Sequence, residues 1–289
     1  MKKMIWVFLW LPFFCFSQIN WSEVEVQSTE LAPGLHRLFI GEGVSILAYC
    51  GDDGLLLVDA AYEKAAEKVQ KELIRLGKDD LKYIINTHYH SDHTGGNKYL
   101  GENVDIIAHS HVKEVISKES GSGKYKRAAY PIFAQPNITF TDSMTLRFNN
   151  QTLILSHPKG GHTAGDIVVY FPDSKLLALG DLLFADKFPY VDINQGGNAI
   201  RYIKHLESII DSYPEETKII GGHGPVYTLD KLRTYHQTLE QTVKEVRGAK
   251  ERGMTLEQMK KERILGNWEK YGTGFISEDF WIATVYNSL

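Results

Sequence analysis

A chain of 289 residues, 43% hydrophobic and 24% charged, has ordinary globular composition and length for one large or two modest domains. Its formal charge of −4 excludes the broad basic surface of a nucleic-acid binder. Its two cysteines, Cys15 and Cys50, leave no means of building a zinc–thiolate cluster.

The N-terminus reads as a secretory signal. Lys2 and Lys3 precede an apolar run over residues 4–16 that ends at Ser17-Gln18. That run is shorter than the roughly 20 residues a membrane span needs. Bulky Phe13-Phe14 before Cys15 argue against lipidation. Cleavage is expected after Ser17, which makes 1–17 the signal peptide and the mature protein periplasmic or secreted, with no stable membrane insertion. Loss of Lys2 and Lys3 and of no acid takes the charge from −4 to −6. Cys50 then stands alone, without an internal disulfide partner, and is read as a small buried apolar residue.

The chain opens as a meander, with strands over 36–40, 44–50 and 55–58 separated by turn residues such as Asp52-Asp53-Gly54. Residues 61–76 read as an amphipathic helix with Ala65, Val69, Leu73 and Leu76 on one face, stopped by Gly77. A strand over 83–87 follows, then a short helix to Leu100, a strand over 104–108 and a helix over 112–118. Residues 119–137 read as a long exposed loop, of the length seen in lids. Strands return over 138–140, 144–148, 152–156, 167–171 and 176–179. A helix over 199–213 and a short strand over 218–220 complete a second half like the first. A long helix over 229–252 follows, and 255–262 and 278–289 suggest a helical tail. Trp268, Phe275, Phe280 and Trp281 of that tail can pack on the core or on another subunit.

The stretch Thr87-His88-Tyr89-His90-Ser91-Asp92-His93-Thr94-Gly95-Gly96 carries the chemistry. In an extended chain His88, His90 and Asp92 share one face, and His93 departs from it. Two directions from one loop suit two adjacent metal ions, and imidazole with carboxylate favours zinc or a similar divalent metal. Three later motifs follow apolar strands: Gly160-Gly161-His162-Thr163, Gly180-Asp181 and Gly221-Gly222-His223-Gly224-Pro225. Each puts one metal-competent side chain in a glycine-rich turn at a strand end, where function concentrates. Five of the eleven histidines lie in these motifs and the first stretch. Alone, each later motif reads as turn chemistry; together they read as a site. His36, His157, His205 and His236 fit surfaces or structural hydrogen bonds, whereas His109 and His111, near a strand end, could approach the site. Lys124, Lys126 and Arg127 fit a solvated loop or a contact with an anionic substrate. Phe188 and Tyr190 are candidate pocket-lining residues.

This combination resembles the metallo-β-lactamase superfamily over about residues 31–228. The resemblance implies an α/β fold, an αβ/βα sandwich of two mixed sheets flanked by helices. It makes 18–252 a hydrolase domain with 253–289 a helical tail packed on it. It implies two Zn2+ ions, other divalent metals being possible: His88, His90 and His162 at the first, Asp92, His93 and His223 at the second, and Asp181 bridging. Asp92 and Asp181 become the catalytic carboxylates, and Asp59 buttresses the metal loops. The activity implied is attack of metal-bound hydroxide on a carbonyl, ester-like or phosphoester bond of a small substrate. His90 stands where redox-active members have glutamate, which favours hydrolysis. Against the best-known lactamase subclass, Asp181 replaces a cysteine, His93 an arginine, and Phe184 a substrate-gripping lysine. A β-lactamase, and a non-enzymatic periplasmic metal-binding protein, are the alternatives. Specificity is expected in 119–137, 184–197 and the tail. The exported protein is predicted to begin at Gln18; an intact mass that retains residues 1–17 would contradict this.

Overall fold

Several strands of this chain carry unbroken apolar runs, such as residues 55–58, 168–171 and 176–179, a pattern that fits burial on both faces. In the computed structural model, which describes residues 20–41, 43–77, 80–121 and 126–289, that is what they do. The signal-peptide reading and Lys124 lie outside the described residues.

The first sheet contains β1 (Val26–Ala32), β2 (Leu35–Ile40), β3 (Val44–Gly51), β4 (Gly54–Val58), β5 (Leu81–Asn86), β6 (Asp105–His109) and β7 (Ile138–Phe140), adjacent in that order. Its first four strands form an antiparallel meander, and β4 to β7 run parallel. The second contains β8 (Ser143–Phe148), β9 (Gln151–Ser156), β10 (Val168–Phe171), β11 (Leu176–Phe184) and β12 (Lys218–His223), likewise adjacent in order, with only β11 and β12 parallel. One pair, His223 opposite Val44, joins the sheets.

Side chains alternate faces along a strand. Leu47, Leu56, Val58, Ile85 and Ile107 of the first sheet meet Leu155, Val169, Leu176, Ala178 and Ile220 of the second in a shared core. Their neighbours Ile46, Leu55, Leu57, Ile84 and Ile106 point outward onto α1 (Ala66–Arg75), whose Val69 and Leu73 are buried. Leu177, Leu179 and Ile219 point outward onto α5 (Ala199–Ser212), α6 (Leu229–Glu251) and α8 (Glu278–Ser288). The result is the expected α/β sandwich, helices outside and two sheets inside. Cys50, read as buried, is half-buried at the edge of the α1 cluster.

Several local readings differ. β1 was not legible, because its exposed positions carry no apolar alternation. The helix read over 61–76 begins at Ala66, after a 3-10 turn at Glu63–Ala65, since Ala61 sits at φ +59. The described residues of 119–137 are mostly exposed, as expected, but the segment is anchored at two points. Tyr130 and Ala134 are buried against Val112 and Ile116 of α4 (Ser110–Ile116), and Arg127 binds the carbonyls of Val115 and Lys118. Apolar anchors and a cation at the helix C-terminus hold this segment down. Lys126 forms an exposed ion pair with Glu119.

The tail folds as α7 (Leu256–Lys261), a 3-10 stretch at Gly266–Thr273 and α8. Trp281 of α8 is fully buried, stacks on Phe188 at 5.8 Å and donates its indole N–H to Thr242 of α6 at 2.9 Å. Among the described residues no helix is long and apolar enough to cross a membrane. Trp281→Ala is predicted to cost about 3–5 kcal/mol, seen as a lower urea midpoint. An unchanged midpoint would mean that the tail adds nothing to stability.

Candidate metal centre

Three strands of two sheets end at one edge, and each delivers part of the site. β5 leads into Thr87–His93, with α2 (Ser91–Thr94) starting directly after His90. β11 carries Asp181 and β12 ends on His223. The loop after β9 brings His162. Sequence alone placed Asp181 in a turn after a short strand. The strand instead runs through it to Phe184, with Gly180 at φ +51 and a register shift that turns Asp181 inward. A Cβ on Gly222 would lie 2.1 Å from Asp181 Oδ1, so only glycine admits the carboxylate there.

All seven predicted ligands come together, in two groups that share Asp181. His88, His90, His162 and Asp181 form one; Asp92, His93, His223 and Asp181 form the other. Asp181 Oδ2 lies 3.6 Å from His88 Nε2 and 3.4 Å from His162 Nε2. Asp181 Oδ1 lies 3.1 Å from His93 Nε2 and 3.3 Å from His223 Nε2. Asp92 Oδ2 lies 3.6 and 3.4 Å from the same two nitrogens.

The outer nitrogen of every imidazole is committed. His162 Nδ1 donates to the Tyr190 carbonyl at 2.7 Å and His223 Nδ1 to the Gly43 carbonyl at 2.8 Å. Carbonyls only accept, so both nitrogens carry the proton. His93 Nδ1 donates to Asp59 Oδ2 at 2.7 Å. Thr87 Oγ1 donates to Asp59 at 2.8 Å, and therefore accepts from His88 Nδ1 at 3.1 Å. His90 Nε2 faces the Tyr89 hydroxyl at 3.0 Å and Asp192 at 3.3 Å. The inner nitrogens of neutral rings are then lone pairs. His162 Nε2 and His90 Nδ1 face each other at 2.9 Å. The inner atoms His88 Nε2, His93 Nε2 and Asp181 Oδ1 are buried with no hydrogen-bond partner among the described residues. Converging N/O donors of this kind, deprotonated, fit divalent cations such as zinc.

Electrostatics separates the groups. Burial pushes His88 well below the usual histidine range and His162 down to about 4, so both rings are neutral. Burial also opposes charge on His93 and His223. The carboxylates of Asp181 and, for His93, Asp59 outweigh it, holding His93 well above its ordinary value and His223 up to about 10. Burial opposes ionisation of Asp181, yet His223, His93, His88 and His162 keep it well below the carboxylate range.

Sequence reasoning missed several supports. Asp166 is buried, and burial raises its carboxyl to about 7. It accepts from the backbone N–H of His162 at 2.7 Å and from Thr163, shaping the His162 turn. Asp192 accepts from the Tyr89 hydroxyl, and its own N–H bonds the His162 carbonyl at 2.9 Å, tying two ligand loops together. Only the Asx-type spacing in Thr163-Ala164-Gly165-Asp166 was a usable signal, and nothing local marked Asp192. His109 and His111 do not join the site: His109 stacks on His157 at 3.9 Å and bonds the Thr141 carbonyl. His157 and His205 bond backbone carbonyls, as expected.

The two groups floor a cavity of about 900 Å³. Phe184, Phe188 and Tyr190 line it, and so does Phe275 of the tail; among the described residues nothing from 119–137 does. Phe184 stacks on His223 at 4.7 Å.

The family model for the metallo-beta-lactamase superfamily matches residues 40–244. The chain belongs to that superfamily. It is a metallo-hydrolase by kinship: "Metallo-beta-lactamase type 2" of Bacillus cereus is 29% identical over 196 residues, 62% of this chain and 69% of the relative. "Hydroxyacylglutathione hydrolase" of Synechococcus sp. (strain JA-3-3Ab) is 29% identical over 168 residues, 58% of each. A solved metallo-beta-lactamase from Pontibacter korlensis superposes with a TM-score of 0.62 at 19% identity, covering 75% of this chain and 99% of that one. A double mutant of the sec-alkyl sulfatase PisA1 gives 0.70 at 16% identity, covering 91% of this chain and 50% of that one. Both structures share the superfamily fold.

Two predictions follow from the anchoring of the rings. Asp59→Asn leaves one acceptor oxygen where His93 and Thr87 use two and puts an amide donor in place of the other, and is predicted to weaken zinc binding about tenfold to hundredfold, by competition with a chelating dye; unchanged affinity would contradict the anchoring role. His93 and His223, raised above neutrality, must lose protons to bind metal. Zinc affinity is therefore predicted to rise from pH 6 to pH 9, with protons released in calorimetry. A pH-independent affinity would contradict the assignment.

Proposed function

We propose that the chain is an exported dinuclear zinc hydrolase of a small carbonyl, ester-like or phosphoester substrate. One observation carries this reading: Asp181 presents one oxygen to each of two groups of inward-facing donors on the floor of a cavity. His88, His90 and His162 would hold the first ion, Asp92, His93 and His223 the second, and Asp181 would serve both. Bound divalent metal lowers the pKa of water by several units and polarises a substrate oxygen.

The rest is done by the chain's own residues. Burial opposes ionisation of Asp92, but His93 and His223 keep it a carboxylate at neutral pH. It lines the cavity, so the carboxylate oxygen that does not hold the second ion would take a proton from the attacking water and pass it to the leaving group. The Tyr62 hydroxyl also faces the cavity; burial and the charges of Asp92 and Asp181 push it upward, so it remains a donor for a substrate oxygen. Phe184, Phe188 and Tyr190 shield the floor from bulk water.

A β-lactamase is the second reading, favoured by the Bacillus cereus relative. Phe184 counts against the best-known lactamase subclass, because an apolar ring packed on His223 stands in place of its substrate-gripping lysine. A purely metal-binding role leaves the cavity beside the donors unexplained.

The test is a panel of lactams, lactones, thioesters, esters and phosphodiesters on the zinc-loaded mature protein. At least one class is predicted to be turned over, with activity lost to a chelator and restored by zinc. Asp92→Asn and His90→Ala are predicted to lose at least about a hundredfold in kcat on that class. Full activity of either variant would overturn the mechanism, and nitrocefin turnover above all other substrates would favour the lactamase.

A further inference from the structure

Among the described residues lining the cavity, Lys187 is the single lysine or arginine. Its surroundings are built rather than incidental. Its ammonium donates to Thr273 Oγ1 of the tail at 2.6 Å. Its aliphatic stem lies against Gly274, where an added Cβ would come within 3.0 Å of it. Its backbone is fixed from both sides: Tyr235 donates to the Lys187 carbonyl at 3.0 Å, and the Phe188 N–H bonds the Tyr271 carbonyl at 2.9 Å. The neighbouring carboxylates are engaged elsewhere. Asp186 accepts from the Tyr227 hydroxyl at 2.7 Å, and Asp192 from Tyr89. Thus no carboxylate among the described residues neutralises Lys187, and two of its three ammonium hydrogens remain for a ligand.

The wall beside it is apolar. The Phe275 ring, 86% exposed, stands edge-on to Tyr190 at 6.2 Å, and Phe184 and Phe188 continue the surface inward. An exposed aromatic ring on the same cavity wall as an ammonium that no carboxylate among the described residues neutralises matches a ligand with an anionic group and an apolar body.

We propose that the substrate is such an amphiphilic anion, and that Lys187, positioned by Thr273 and Gly274 of the tail, reads its negative group while Phe275 covers its apolar part. This rests on the hydrolase reading for the bond that is cut, but not for binding. It makes the tail part of the specificity surface: three consecutive residues, Thr273, Gly274 and Phe275, hold, flank and extend the cation's side of the cavity. Lys187 does no chemistry on the scissile bond; it sets which substrates reach it.

The test uses the zinc-loaded protein and two probes of one shape, 4-phenylbutyrate and its neutral amide 4-phenylbutyramide, bound in calorimetry. The carboxylate is expected to bind more tightly than the amide. Lys187→Met is expected to lower the carboxylate-to-amide affinity ratio about tenfold, Lys187→Arg to retain most of it, and Thr273→Val to fall between them. Wild-type protein that binds both probes alike, or a Lys187→Met protein with an undiminished ratio, would overturn the proposal. Equal weakening of both probes would also overturn it, since that marks a structural role. A parallel assay compares mono(4-nitrophenyl) glutarate with 4-nitrophenyl butyrate. Failure to cleave either ester while the calorimetric ratio still depends on Lys187 would count against ester hydrolysis and leave this inference standing.

Discussion

Buried polar atoms are costly unless a hydrogen bond or a cation satisfies them, and His88 Nε2, His93 Nε2 and Asp181 Oδ1 have no hydrogen-bond partner among the described residues. That constraint organises this protein. His90 Nδ1 and His162 Nε2 stand 2.9 Å apart, and the outer nitrogen of each ring is already bonded to Tyr89 and Asp192 or to the Tyr190 carbonyl. The rings cannot turn away without breaking those bonds. Asp181 is pinned in the same way, against Gly222 on a strand that stays buried along its whole length. The chain therefore holds a geometry that a divalent cation relieves, and the outer hydrogen bonds keep the site open to metal rather than collapsed.

The sandwich supplies the rigidity. Six of the seven donors sit in the segment after β5, within β11 or at the end of β12, and these strands are apolar on both faces over most of their length. His223 is also the residue that joins the two sheets, through its pairing with Val44. A ligand is thus part of the seam, and displacement of the sheets would move it relative to Asp181. Asp59, at φ +65, bends the chain at the end of β4 so that one carboxylate reaches both Thr87 and His93. Asp is among the few residues that adopt this backbone region at low cost.

Most of this centre was legible because its donors are rare residue types at fixed offsets. His88, His90, Asp92 and His93 announce themselves within six residues, and His162, Asp181 and His223 each follow an apolar strand. The sheets were legible from apolar runs, and their order from the superfamily resemblance. What was not legible depended on partners distant in sequence. Asp192 became a support only because the fold brings it to Tyr89 and His90, about a hundred residues away. Gly180 looked like a turn because glycine usually marks one, whereas the second sheet draws the strand through a local shift in register. The tail's 3-10 stretch and the residues after it have no hydrophobic period to read, so the bond of Thr273 to Lys187 and the place of Phe275 in the cavity wall appeared only in three dimensions. Segment 119–137 was long enough for a lid, but Tyr130 and Ala134 are anchors that length does not reveal.

The central claim is that two groups of donors, linked by Asp181, each take one divalent ion. Titration of zinc into the chelator-stripped mature protein at neutral pH, followed by calorimetry, tests it most directly. The account predicts two equivalents per chain for the wild type. A stoichiometry of one, or no saturable binding, would contradict it.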